Sequence, residues 1–403
     1  MPAGLYDPFV LQTRLDPYPV YRELRERAPV HLSPLGFWVI SRYADVAAAQ
    51  RDRRLGLSGP IPPENVARLG QSRSAAREIV ATYLMLTEPS LHQRYRAVVS
   101  RLFTARGLGS LQPLIQRHAV KLAGELRRRP EADLIRDFAS PLTMHVLCDW
   151  LGVPPDDWPQ CMIWSSRLNQ ILQPGLDLGS YPAVFLAFRA CFDYFHRAAE
   201  LRVGMPPDDL LSVLVNTSTN NGQVAVQESA AIACTLLAAA YETTTNLIGN
   251  GAAALLDHPE QMHRLRSAPE LADQAVSEVL RYQSPVQMHA RTALCDLRLG
   301  SRDIPAGAKI LLLIGSAHRD ETVYRHADQL LIGQPGPPTV SFGGGPHHCL
   351  GEALARMEAA TALTVLLDGL DIAPADGEIL RWRTDQVAIR GLVSLPARIR
   401  ARR

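Results

Sequence analysis

The chain has 403 residues, and its 42 basic against 40 acidic residues leave a net charge of +2, which argues against a dedicated nucleic-acid binder. An apolar fraction of 47% with only 20% charged residues supplies an ample core and excludes intrinsic disorder. Thirty prolines suggest many element boundaries, while 27 glycines are ordinary for the length.

The N-terminus, MPAGLYDPFVLQTRLDPYPVYREL, carries no basic-then-apolar leader. A short helix is predicted over Pro19–Arg27 after the Asp16–Pro17 start, and a short strand at Phe37–Ile40. Gly56–Pro63 reads as a turn-rich loop, and a second broken segment spans Pro174–Pro182. Phe185, Phe188, Phe192 and Phe195 then recur at helical spacing. Such a stripe is plain core or the roof of an apolar pocket. Glu228–Leu256 predicts one helix of about 29 residues, roughly 43 Å long at 1.5 Å per residue, ending before Pro259. Its longest nearly apolar stretch, Ala230–Tyr241, is shorter than the ~20 residues that span a bilayer. Strand-like runs come late, at Lys309–Ile314 and Leu392–Leu395. The expected class is mainly α with small β-sheets. No repeat or linker divides residues 1–403, so one domain is expected. The six cysteines, 148, 161, 191, 234, 295 and 349, form no CxxC pair, as expected of a soluble protein in a reducing cytoplasm.

The strongest local signal is Phe342-Gly-Gly-Gly-Pro-His-His-Cys349-Leu-Gly351. Leu350, Ala353, Leu354, Met357, Thr361, Thr364 and Val365 carry a helical period behind it, so a helix starts at or just after Cys349. The positive end of a helix favours thiolate. The glycines let backbone N–H groups turn toward the sulfur, and Gly351 leaves room for something flat. A phosphate loop is poorly supported because no Lys-Ser/Thr follows the glycines. Zinc lacks partners at suitable spacing. A cysteine nucleophile with His347 or His348 as base, and an axial thiolate to haem iron, both remain open.

Phe342-x-x-Gly345-x-x-x-Cys349-x-Gly351, with His347 two before the cysteine, resembles the haem-binding loop of the cytochrome P450 family. Three further segments follow that family's order. Glu278-x-x-Arg281 resembles its scaffolding pair, although the third arginine of the meander is missing and Gln334 stands near its place. Ala239-Ala240-Tyr241-Glu242-Thr243-Thr244 resembles its oxygen-activation motif, with Ala240 replacing a glycine. Taken without the resemblance, Glu242 and Thr243 read as a buried polar pair satisfied by backbone carbonyls. His92 and Arg96 resemble a propionate-facing segment. At ~100° per residue they lie about 40° apart on one helix face, with Arg94 and Arg101 nearly opposite.

The resemblance implies haem b between a long distal helix and the helix after Cys349. Cys349 would be the axial iron ligand, and His92, Arg96, Arg291, Phe342, Gly343, His347, Gly351 and Ala239 would complete the haem site. Glu242 and Thr243 would relay protons for oxygen insertion from dioxygen, and Glu278 with Arg281 would be structural. Other outcomes of the same chemistry are oxidative coupling and peroxide-driven turnover; a haem-thiolate sensor is the non-enzymatic alternative. Gly249-Asn-Gly251-Ala-Ala-Ala254 with Asp273 matches a dinucleotide pattern but sits inside the predicted helix without a preceding strand. Electrons are therefore expected from a separate ferredoxin and ferredoxin reductase, docking on a patch of Arg94, Arg101 and Arg106. A medium-sized, largely apolar substrate of secondary metabolism is expected to meet residues in Ile61–Leu86 (Leu86 among them), the Phe185–Phe195 helix, Leu237, Tyr241, Val286, Gln287 and Met288.

Overall fold

A computed structural model describes residues 6–57, 89–170, 181–219, 222–377 and 379–402. The tip of the expected Gly56–Pro63 loop, the whole of 61–86 including Leu86, and most of Pro174–Pro182 lie outside the described residues, as does the Arg106 side chain.

Nine helices form the bulk of the framework: α1 Tyr18–Arg27, α2 Pro89–Ser100, α3 Gln112–Leu126, α4 Ser140–Leu151, α5 Trp158–Asn169, α6 Tyr181–Glu200, α7 Val226–Asp257, α8 Ala272–Tyr282 and α9 Glu352–Gly369. Helix α7, 32 residues long, is the axis, and α4, α5, α6, α8 and α9 all pack against it. It begins where the Glu228 carboxylate accepts the Ala225 N–H at 3.0 Å, satisfying one of the donors a helix start leaves open. It ends at Asp257, two residues before Pro259, which disfavours the α conformation in His258.

The two halves of α7 lie in different cores. Ala230, Ile232, Ala233, Cys234, Leu237 and Ala238 join a cluster built by α4, α5 and α6, whereas Leu247, Ile248 and Ala252–Leu255 join one built by α3, α8 and α9. Phe185, Phe188 and Phe195 are buried in the first cluster, and half-buried Phe192 stacks on Phe188 with centroids 6.0 Å apart. The aromatic stripe is therefore core packing. Gly249 and Gly251 sit within α7 with no strand before them, which removes the dinucleotide reading; a Cβ on Gly249 would overlap Ile135 Cδ1 at 2.3 Å, so the glycine permits close packing.

The β-structure is more extensive than the sequence suggests. Strands β1 Val30–Leu32, β2 Trp38–Ile40, β3 Leu55–Leu57, β4 Glu131–Asp133, β5 Met288–Ala293, β6 Lys309–Leu313, β7 Leu370–Pro374, β8 Arg381–Trp382, β9 Leu392–Ser394 and β10 Pro396–Ala401 were only partly foreseen. The principal sheet runs β1-β2-β6-β5-β3, and Arg291 sits in β5 between Ile310 of β6 and Leu57 of β3.

On α8, Glu278 and Arg281 form a bidentate ion pair at 2.7 and 2.8 Å, both side chains about 5% exposed. Arg281 also donates to the carbonyls of His318, Ala327 and Gln329, while Glu278 accepts from the Leu331 N–H and from Gln334 Nε2 at 2.8 Å. Gln334 thus fills the place of the missing meander arginine with an amide. The network is closed: every charge meets a partner. Arg281→Met should cost about 3–5 kcal/mol, because it strands the Glu278 carboxylate in the interior, whereas Gln334→Ala should cost only about 0.5–1.5 kcal/mol; denaturant titration of the two variants measures both, and equal losses would contradict this ranking.

Candidate functional site

Between the two cores α7 carries a polar belt: Glu242, Thr244, Thr245 and Asn246 are buried, and Thr243 is half-buried. Leu236, Ala239, Ala240 and Thr243 are the half-buried positions of this stretch that follow i, i+3, i+4, i+7 spacing, so one narrow stripe is left uncovered by protein. Thr243 Oγ1 donates to the Ala239 carbonyl at 2.8 Å, a back-bond within the helix.

Glu242 is held by side chains. Its Oε1 accepts from Arg383 and, at 2.7 Å, from Gln386 Nε2, both on the segment following β8. Oε2 is buried, and the Asn169 amide stands beside the carboxyl. Burial pushes the Glu242 carboxyl above its ordinary range, and the Arg383 guanidinium opposes that rise.

Cys349 lies at the end of a loop in which Gly343 and Gly345 adopt left-handed backbone, φ 73° and 65°. Its N–H donates to the Phe342 carbonyl at 2.8 Å, and Arg356 of α9 lies over the Phe342 ring. The Cys349 side chain is open on one side and enclosed on the others. Burial raises the thiol, while N–H groups of Gly351 and Glu352 at the start of α9, and the Arg96 charge, favour thiolate. Gly351 has φ −82° and a Cβ there would meet only Cys349 Sγ and Phe103 at 3.9 Å, so nothing in the protein requires that it lack a side chain. His348 pairs with Glu352 at 3.0 Å, and neither it nor His347 hydrogen-bonds the sulfur, which leaves a cysteine nucleophile without its base. Among the described residues no group of three or more His, Cys, Asp or Glu side chains is placed to hold a metal ion.

Four basic groups converge beside this loop. The His92 and His347 rings lie 4.5 Å apart, and Arg96 and Arg291 bear on them electrostatically. Burial and the neighbouring His92, Arg291 and Arg96 push His347 down to about 4, and burial alone brings Arg291 down to about 10. Among the described residues neither arginine forms an ion pair; Arg291 donates only to the Ala290 carbonyl. A partly buried cationic cluster without a counter-ion suits a ligand bearing carboxylates. A cysteine with N–H groups at its sulfur, the uncovered stripe and the cationic cluster together fit a haem.

Several sequence expectations need correction. Leu237 is fully buried in the core, since the side chain one residue back, Leu236, is the one on the uncovered stripe. Tyr241 turns to α4, its hydroxyl 2.6 Å from Ser140 Oγ. Gln287 is buried and spends its amide on the Ser284 carbonyl and the Tyr21 hydroxyl, and Met288 is buried in an N-terminal cluster. Val286 stays half-buried, bridged to Ile389. Arg94 is no free surface charge: it pairs with Glu228 at 2.9 Å, whereas Arg101 is exposed. Arg383 and Gln386 escaped sequence reading altogether, because no local pattern ties them to Glu242.

Among the described residues no helix is long and apolar enough to cross a membrane. Comparison with known proteins gives a match of residues 195–389 to the family model "Cytochrome P450". The polyketide biosynthesis cytochrome P450 PksS of Bacillus subtilis is 32% identical over 407 residues, covering 97% of this chain and 98% of that protein. The vitamin D(3) 25-hydroxylase of Pseudonocardia autotrophica is 35% identical over 389 residues, covering 94% and 93%. The crystal structure of P450BioI with an acyl carrier protein ligated to hexadec-9Z-enoic acid superposes with a TM-score of 0.87 at 31% identity, covering 96% of this chain and 98% of that one. Matched from end to end in sequence and fold, the chain belongs to the cytochrome P450 family of haem-dependent oxidoreductases, which act on small molecules with dioxygen and redox partners.

Proposed function

We propose that residues 1–403 form one catalytic domain, a cytoplasmic monooxygenase that inserts oxygen into a medium-sized, largely apolar molecule of secondary metabolism. The observation that carries this reading is the convergence of Cys349, with N–H groups of α9 at its sulfur, with the unpaired guanidinium groups of Arg96 and Arg291 and the imidazoles of His92 and His347. Haem, when bound, supplies the reductive activation of dioxygen.

Cys349 would hold its iron as thiolate. Arg96 and Arg291, with His92 and His347, would bind the propionates. Phe342 and Gly343 would line the proximal side, Gly351 would leave room for the ring, and Ala239 would pack on the distal side. Thr243, on the uncovered stripe of α7, would exchange its back-bond to Ala239 for a hydrogen bond to the reacting oxygen. Glu242 would resupply the proton. Oxygen insertion is favoured over a purely binding role because an acid beside an alcohol serves proton delivery and has no use in a sensor. The absence of a surviving dinucleotide motif supports separate electron donors, most simply a ferredoxin and its reductase. With Arg94 paired to Glu228, exposed Arg101 and neighbouring Arg106 would supply the basic contact of that surface. The relatives named for polyketide biosynthesis and for an acyl-carrier complex favour an apolar biosynthetic intermediate, free or carrier-bound. Of the pocket expectations, Val286 is retained and Leu236 replaces Leu237; Phe342 and Ala239 stay with the cofactor.

Three outcomes test the reading. The reduced carbon-monoxide complex should show the red-shifted Soret band of thiolate ligation, lost in Cys349→Ser and kept when any of the other five cysteines is changed. Arg96→Ala and Arg291→Ala should each weaken haem retention by about 1.5–3 kcal/mol while keeping that band; haem transfer to apomyoglobin measures it, and wild-type loss rates would remove these residues from the site. Thr243→Ala should consume reductant without matching product, so full coupling in this variant would exclude its hydroxyl from proton delivery.

A further inference from the structure

The segment that follows β8 does more than close the fold. Arg383 binds Asp385 through two contacts, Nε to Oδ1 at 3.2 Å and Nη2 to Oδ2 at 2.8 Å, and offers its Nη1 to Glu242 Oε1. Exposure falls along this row, from 62% for the Asp385 side chain through 26% for Arg383 to 5% for Glu242. The row therefore runs from solvent to the buried acid. Gln386, three residues past Arg383, donates to the same Oε1, so both of the acid's strong partners sit on one short piece of chain. Oε2, on the other side of the carboxylate, is buried, with the Asn169 amide beside the carboxyl.

We propose that Arg383, anchored by Asp385, is a positioning residue that sets the protonation state of Glu242 and hence gates its proton supply from solvent. With Arg383 in contact, Glu242 is a carboxylate neutralised by a guanidinium. An arginine stays protonated near neutral pH and so passes no proton itself. When the Arg383–Asp385 unit withdraws, the lone buried carboxylate is costly and takes one proton from water entering along the vacated row. Glu242 then carries that proton as a carboxylic acid and returns to carboxylate on giving it up within the site, so the cycle balances one proton taken for one delivered. Asp385, Tyr241 and Arg383 are the ionisable groups bearing on this carboxyl, and Asn169 is the amide beside it; of these only Arg383 holds an opposing charge.

The same segment is tied to the far side of the site. Gln287 donates its N–H to the Ala388 carbonyl at 2.8 Å, and Val286 bridges Ile389. A ligand that presses on Val286 has a short mechanical route to the residues that hold Glu242.

The proposal rests on Glu242 being the acid of the reaction, and the experiment separates the two. Infrared difference titration of the purified holoenzyme follows the protonated carboxyl band that Glu242→Gln removes. Arg383→Gln should move the midpoint of that band upward by at least one pH unit, a tenfold change in proton affinity, and Arg383→Lys should restore it. Gln386→Leu should move it in the same direction by less, which keeps the test available if Arg383→Gln does not fold. An unmoved midpoint in these variants overturns the proposal. The pH dependence of product formation should shift with the band. If the band moves and that profile does not, the clamp stands but Glu242 is not the reaction's acid.

Discussion

One constraint governs the rest of the molecule: a single helix must stay continuous through two apolar cores while carrying a polar belt between them. Helix α7 satisfies its own backbone, but the side chains of the belt cannot borrow from it without limit. Thr243 uses the Ala239 carbonyl, and Thr245 meets Thr143 of α4 at 2.6 Å. Tyr241 reaches Ser140 on the same helix. Glu242 bears a charge, and an isolated buried carboxylate costs several kcal/mol even after relaxation. A guanidinium must therefore come to it from elsewhere in the chain, and Arg383 does so across 141 residues of sequence. The belt dictates where the C-terminal segment lies.

Two clusters of charge in the molecule have opposite designs. Around Glu278 and Arg281 the protein supplies both signs and caps every remaining donor and acceptor with backbone groups and Gln334, so the cluster is complete without a ligand. Around His92, Arg96, Arg291 and His347 it supplies one sign only. Burial, and after it repulsion from the neighbouring basic groups, hold His347 near 4 and thus neutral at physiological pH, while Arg291 stays charged. Bringing such groups together raises the free energy of the ligand-free state. A dianionic group at that place relieves it, and the stability so gained appears as affinity for the ligand.

The α-rich class, α7 to within two residues at its start, the helix behind Cys349 and the four motif segments were legible in the sequence, because each rests on local periodicity or fixed spacing. Most short strands were not. Leu55–Leu57 and Glu131–Asp133 are strands only because Met288–Ala293 and Pro396–Ala401 lie beside them, and three residues carry too little alternation to announce that. The pocket side chains were misjudged for a related reason. Choosing Leu237 over Leu236 is a one-residue error in helical phase, which moves a side chain by about 100° from the uncovered stripe into the core. Arg383 and Gln386 had no sequence signal, since an ion pair between distant segments leaves no spacing to read.

The C-terminal segment shows how such long-range pairings become a unit. Arg390 stacks on Trp382 at 3.7 Å and donates to the carbonyls of Arg14 and Leu15, fastening the segment to the N-terminal region. Asn250 of α7 donates to the Arg390 carbonyl, and Asn246 stands against Gly391, where even a Cβ would overlap it. The segment is thus fixed at its far end and held to α7 at two asparagines, one helical turn apart. Between these anchors and β8, residues 383–389 are fastened by side-chain contacts to Glu242 and by backbone contacts to Val286 and Gln287. A segment anchored at both ends and touching two sides of one site can move at its middle without unfolding. Any such movement changes the environment of the buried acid and of the half-buried Val286 together.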